Sequence, residues 1–188
     1  SSGFISNVIS QLDDILNLIP EIKNMIGFEQ NHPHHHLDVW CHTLLALSYS
    51  SKDFDIRMAL LLHDIGKPHS YQDKEIRHFK GHGKVSCDIV DSIMFRLRFD
   101  NKTRHDVAEL VYYHDATFEV GAKYIRRWLN KIGPEQFKRL LDVRKADIMG
   151  QKYKYDKERI KKVEVIGHLL KEVLQEDECF SMKSLAIN

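Results

Sequence analysis

Thiols are scarce in this chain. Its three cysteines, Cys41, Cys87 and Cys179, are odd in number and far apart, which argues against a disulfide framework or a thiolate zinc knuckle. Reduced, buried cysteine is the expectation. Long apolar runs are missing as well. Nothing approaches the roughly 18 residues of a membrane span, and the N-terminus lacks the basic start and apolar stretch of a secretion signal, so a cytoplasmic protein with no membrane partner is expected. Neither charge is in excess: 28 Lys and Arg face 27 Asp and Glu, and a net charge of +1 supplies no global field to recruit DNA. With only four Pro and nine Gly among 188 residues, and 43% hydrophobic content, disorder is excluded and one domain is favoured over two. Against these shortages one residue type is abundant, with twelve histidines. The run His32-Pro33-His34-His35-His36 is internal and broken by proline, and leads into an amphipathic segment.

Helical spacing dominates the chain. Val8, Leu12, Ile15, Leu16 and Ile19 mark a first helix, with Ser6 or Asn7 as its cap and Pro20 as its stop. Leu37, Trp40, Cys41, Leu44 and Leu45 form a second stripe. A segment from about 55 to 65, apolar nearly all round, reads as the centre of the core and stops at Gly66-Lys67-Pro68. Residues 66–83 read as a loop, followed by a helix near Gly83 carrying Val90, Ile93, Met94 and Leu97. Further helices are expected after Asp100 and at about 121–131, 135–150 and 156–175, and strand alternation is nowhere convincing. The fold expected is a single all-α domain over 1–188, with its core at about 20–175 and roughly seven to nine helices.

Buried titratable groups need partners, so those on apolar stripes carry the information. His63 lies seven after Ile56, four after Ala59 and three after Leu60, and Asp64 follows it. His114 repeats the pattern relative to Val107, Leu110 and Val111, and is followed by Asp115. Asp147 lies seven after Leu140 and four after Val143, and His42 adjoins the Trp40 stripe. One such histidine is most simply a satisfied core residue. A set of them, with no basic groups spaced to neutralise the carboxylates, points to divalent metal held by mixed nitrogen and oxygen ligands: Fe, Mn, Co, Ni, Zn or Mg.

The order His42, then Leu61-Leu-His-Asp-Ile-Gly-Lys67, then distant Asp147 resembles the H…HD…D signature of HD-domain metal-dependent phosphohydrolases. More narrowly, Glu29-Gln-Asn-His-Pro-His-His-His36, Asp38-Val-Trp-Cys-His-Thr-Leu44, Phe79-Lys-Gly-His-Gly83, Tyr113-His-Asp115, Lys145-Ala-Asp-Ile-Met-Gly-Gln151 and Cys179–Asn188 resemble the HD domain of bacterial tRNA nucleotidyltransferases, the CCA-adding enzymes. The resemblance covers about residues 20–188. It implies an HD-domain helical bundle and a first metal held by His42, His63, Asp64 and Asp147. It also implies a second metal on bridging Asp64 with His82 and His114, although His82 serves equally well as a helix cap. Lys67 is expected to meet a phosphate oxygen, with a helix-dipole partner as its alternative. His78 is a second candidate for the charge on phosphate, and Asp38 or Asp115 for orienting ligand imidazoles.

The implied activity is hydrolysis of 2′,3′-cyclic phosphodiesters or phosphomonoesters, through water activated by one or two divalent ions. The chain departs from the family in two places. No strand carries the carboxylate pair of a nucleotidyltransferase head, since Asp53-Phe-Asp55 reads as a helix cap, and Ser184 stands where the family has Asp. The family motif runs on past Asn188, so a trimmed piece and a shortened relative both stay open. Two other functions compete. One is an HD nucleotidase for free nucleotides. The other is an RNA-binding module with a structural metal, supported by basic residues in 123–139 and 144–164 interleaved with Tyr153 and Tyr155. The partner expected is a phosphate-containing small molecule or an RNA end.

Overall fold

The computed structural model describes residues 10–30, 37–72, 78–151 and 156–185, together with Gly3, Ser6 and Asn7; for Asp156 and 179–185 it describes the backbone alone. Aspartates open three of the helices that matter most. Asp38 accepts from the Cys41 amide at 2.6 Å and starts α2 (Val39–Ser48), which follows α1 (Leu12–Leu18) and a 3-10 turn over Pro20–Met25. Asp53 accepts from the Ile56 amide at 3.1 Å and starts α3 (Phe54–Leu62), as its sequence context predicts. After the short α4 (Lys67–Ser70) and after α5 (His82–Arg96), Asp100 accepts from the Thr103 amide at 3.0 Å and starts α6 (Asn101–Tyr113). Gly133, at φ +79°, then separates α7 (Ala122–Ile132) from α8 (Pro134–Met149), whose first position takes the proline that a helix start tolerates. The long α9 (Asp156–Leu185) closes the chain.

The expected all-α bundle is therefore present. Among the described residues the single strand-like feature is an isolated bridge between Gln72 and His78. Helix α3 is central, with Ile56, Ala59, Leu60 and Leu62 buried, and it packs against α2, α6 and α8. Each large apolar side chain buried there contributes about 1.5–3 kcal/mol by leaving water. Helices α5 and α6 lie side by side, while α9 covers α8 and α7. A second apolar centre joins Phe118, Trp128 and Phe137, the last two stacked with ring centroids 5.6 Å apart. Among the described residues no helix is long and apolar enough to cross a membrane.

Four local expectations are corrected. Ser6 and Asn7 are themselves helical rather than caps. Helix α1 does end at Leu18, before Pro20 as expected, and Pro20 then opens a separate 3-10 turn whose Ile22 and Met25 are fully buried. The stretch expected to be loop carries the helical turn α4, and α9 runs ten residues past the expected end. Cys41 is exposed and Cys87 half-buried, because the inner face of α2 runs through Val39, Trp40, Thr43, Ala46 and Leu47. The run His32–His36, Tyr153 and Tyr155 lie outside the described residues.

Candidate metal centre

Helix ends bring the site together. His63 and His114 are the C-terminal caps of α3 and α6, His82 is the first residue of α5, Asp147 lies in the last turn of α8, and His42 sits mid-way along α2. Each imidazole is anchored by its Nδ1. His63 donates to the Leu60 carbonyl at 2.7 Å, His114 to Val111 at 2.7 Å and His82 to Phe79 at 2.9 Å, each three residues back. For Leu60 and Val111, in the last turns of α3 and α6, the carbonyls have no helical partner, which is why the caps His63 and His114 suit this contact. His42 instead donates to the carbonyl of Gly150 at 3.0 Å, across the α2–α8 contact. A Cβ on Gly150 would come within 3.0 Å of the Ala46 amide nitrogen, so the close approach that makes this bond requires glycine.

A carbonyl only accepts, so each Nδ1 carries a proton, and in its neutral form each ring presents a bare Nε2 inward. These four nitrogens surround Asp64, which is 1% exposed. Oδ2 of Asp64 lies 3.2 Å from His63 Nε2 and 3.6 Å from His42 Nε2, and the Asp147 Oδ1 lies 3.1 Å from His42 Nε2. Oδ1 of Asp64 faces the other way, 3.3 Å from His82 Nε2 and 3.6 Å from His114 Nε2. Asp64 thus stands between a trio (His42, His63, Asp147) and a pair (His82, His114).

The electrostatics differ between the two flanks. Burial alone would raise both carboxyls, but His63 and Lys67 hold Asp64 well below the usual carboxylate range, and His42 and Arg144 do the same for Asp147. Burial pushes His63 down, yet Asp64 and Asp147 outweigh it and its pKa is raised; for His114 burial wins and its pKa is lowered.

The donor set fits a divalent ion. The Nε2 atoms of His42 and His63 face each other at 3.2 Å, and those of His82 and His114 at 3.0 Å, and in the neutral Nδ1–H form no proton lies between them. A metal with bonds of about 2.1 Å sets neighbouring ligands at right angles about 3.0 Å apart. Ligand atoms of His42, His63 and Asp147 lie within 4.8 Å of one another, as do those of His63, Asp64 and His114. Neither oxygen of the buried Asp64 receives a directed hydrogen bond among the described residues, although the Lys67 ammonium stands 2.7 Å from Oδ2 as an ion pair. Buried carboxylate lone pairs without directed donors suit a metal cation.

A cavity of about 740 Å³ opens over the site, bordered by His78, Asp115, Lys80, Arg144 and Arg159. His42, His63, Asp64, His82, His114 and Asp147 all converge, and His82 aims into the site while Gly81 takes the cap position. Lys67 also borders the cavity, but it is only 5% exposed and its ammonium is held by Asp64 and by Gln30 Oε1 at 2.7 Å. Among the described residues Asp38 meets no imidazole, and its two oxygens accept the backbone amides of Cys41 and of Gly27. Asp115 sits half-exposed 3.8 Å from His82 Nδ1, and His78 is exposed beside the cavity. The expectation that no basic group meets the carboxylates is also corrected, because Lys67 meets Asp64 and Arg144 donates to Asp147 at 3.0 Å.

Sequence reading missed Arg144, Gln151 and Gln30. Gln151 donates to Asp147 Oδ1 at 3.1 Å and accepts from Arg159 of α9 at 2.5 Å. Spacing of three and four from Asp147 on one helical path was the available signal.

Imidazoles and carboxylates gathered by helix ends around one buried aspartate define a helical domain with a site suited to divalent metal. The chain belongs to the HD domain family, whose model matches residues 34–164; that superfamily comprises metal-dependent phosphohydrolases, and its domains bind divalent metals. The chain is also similar to a CC-adding tRNA nucleotidyltransferase of Thermus thermophilus, 33% identical over 118 residues. That match covers 58% of this chain and 27% of the relative, so the chain spans about a quarter of the relative's length.

Proposed function

We propose that this domain hydrolyses phosphate esters, as a 2′,3′-cyclic nucleotide phosphodiesterase or a phosphatase, at two divalent ions that share Asp64. His42, His63, Asp64 and Asp147 would hold one, and Asp64, His82 and His114 the other. The observation that carries the reading is the set of four Nδ1–carbonyl bonds, which leaves four bare Nε2 atoms around one carboxylate. Such ions supply a water of lowered pKa and polarise a phosphoryl oxygen. The chain's own residues do the rest. Lys67 and Gln30 keep Asp64 turned toward both flanks, and Gln151 and Arg144 fix the two oxygens of Asp147. Asp115 and His78, at the cavity, are placed to pass a proton to the leaving oxygen.

The test is turnover of a 2′,3′-cyclic nucleotide by metal-stripped protein reloaded in turn with Mn, Ni, Co, Mg and Zn. Metal-dependent hydrolysis, absent from Asp64→Ala, is expected. No turnover with any metal, of this substrate or of nucleoside monophosphates, would overturn the proposal.

A second reading, an RNA-binding module with a structural metal, draws on the relative's action on tRNA. Its charge argument is weakened by pairing. Arg126 meets Glu176 and Asp177, Lys138 meets Glu135, Arg139 meets Asp53 and Asp55, and Lys145 meets Glu164. These are solvated faces with ion pairs. Binding of single-stranded RNA that falls steeply with added salt would restore this reading.

A further inference from the structure

Lys67 and Arg144 both border the cavity over the site, and the ammonium of Lys67, the residue whose motif position suggests a phosphate contact, is already engaged. Its ammonium lies 2.7 Å from both Asp64 Oδ2 and Gln30 Oε1 and is nearly buried. Arg144 is differently placed. It lies on α8 three residues before Asp147, borders the cavity over the site, and its side chain retains 17% exposure. One guanidinium nitrogen, NH1, uses its two protons on Asp147 Oδ2 at 3.0 Å and on the His114 carbonyl at 3.2 Å. That pair of bonds ties a residue of the trio to a residue of the pair. It also fixes the plane of the guanidinium, so the remaining N–H groups keep a set direction. Among the described residues nothing accepts from Nε or NH2 of Arg144, three N–H donors in all. Arg144 itself borders the cavity.

We propose that Arg144 is a substrate-binding residue: its Nε and NH2 edge receives two non-bridging oxygens of the phosphate group brought to the metals, while NH1 stays on Asp147 and His114. Planar guanidinium matches two phosphate oxygens at once, which a lysine ammonium cannot do. The ligand class is therefore a phosphate with at least two free oxygens, which includes cyclic diesters, monoesters and inorganic phosphate. A neutral or fully esterified phosphoryl group offers no such pair. The proposal rests on the two-ion reading above, but it concerns a side chain that touches phosphate rather than metal.

Inorganic phosphate is the probe, titrated calorimetrically into Mn-loaded protein, with bound metal counted in the same samples by plasma mass spectrometry. Arg144→Lys keeps a cation for Asp147 and the His114 carbonyl, and Arg144→Gln keeps a single neutral donor. Both are expected to hold the wild-type complement of metal and to bind phosphate roughly ten- to hundredfold more weakly, the loss expected for charged hydrogen bonds. Unchanged phosphate affinity in Arg144→Lys, with metal retained, would overturn the proposal and leave the two-ion reading intact. Loss of metal from both variants would also overturn it, by making Arg144 a strut for Asp147 only. Wild-type protein that takes up no metal would defeat both readings together.

Discussion

The two flanks of Asp64 are built to different standards. On one side His42, His63 and Asp147 come from the middle of α2, the end of α3 and the last turn of α8, all buried. Their carboxylate is held on both oxygens, by Gln151 and Arg144. On the other side His82 and His114 bring no carboxylate of their own beyond the shared Asp64. His82, the first residue of α5 after Gly81, is slightly more exposed, at 7%, than His42 or His63. Negative charge is thus concentrated on the trio: an ion there would meet Asp147 and a share of Asp64, and an ion beside the pair would meet a share of Asp64 alone. Affinity for metal should follow that order.

The comparison can be broken at its hinge. Asp64→Ala should empty both positions and abolish turnover, read as metal per chain and as hydrolysis in one preparation; a variant that keeps either ion would show that Asp64 is not shared. Next in size, His114→Ala should release one ion and retain the other, whereas His63→Ala should release the tighter one. Equal losses from the two variants would mean a single site. Smaller again is Gln151→Ala, which removes a donor to Asp147 without touching an imidazole. It should weaken the tighter ion roughly ten- to hundredfold, the cost usual for outer partners of a metal ligand, and competition with a chelator measures it.

The smallest effect lies in the pH dependence of the metal-free chain, where the flanks carry opposite signs. His63 is raised, so its contribution is full below the unfolded value of 6.5 and fades as pH climbs through its folded pKa. His114 is lowered, so as pH falls below 6.5 the unfolded chain takes up a proton that the folded chain refuses, and stability drops. Stability against urea should therefore pass through a maximum near 6.5 from these two groups. His63→Gln should flatten the alkaline side and His114→Gln the acid side. A variant that flattens the opposite side would reverse the assignment of the two environments.

Much of this was legible in the chain itself, for a definite physical reason. His63 and His114 end apolar stripes at helical spacing, and a buried imidazole at a helix end has a free carbonyl three residues back. Local pattern suffices there. His82 was ambiguous between ligand and cap because a residue after glycine at a helix start serves either purpose, and only the position of Asp64 decides. Gly150 is beyond local reading, since it accepts from His42 across 108 residues of chain. Lys67 was assigned to phosphate because its motif places it beside the site, but its ammonium turns inward to Asp64 once Gln30 supplies a second acceptor. The helices followed the same rule. Asp53 caps α3 and Pro20 ends α1 as their residue types suggest, while the 3-10 turn that Pro20 also starts has no helical periodicity to mark it.

The most direct test of the shared aspartate is anomalous diffraction from crystals of the protein loaded with manganese. The account predicts two peaks on opposite sides of Asp64, about 3.5–4 Å apart as in other two-metal sites, one among His42, His63 and Asp147 and one between His82 and His114. A single peak contacting all four imidazoles, or peaks away from Asp64, would contradict it.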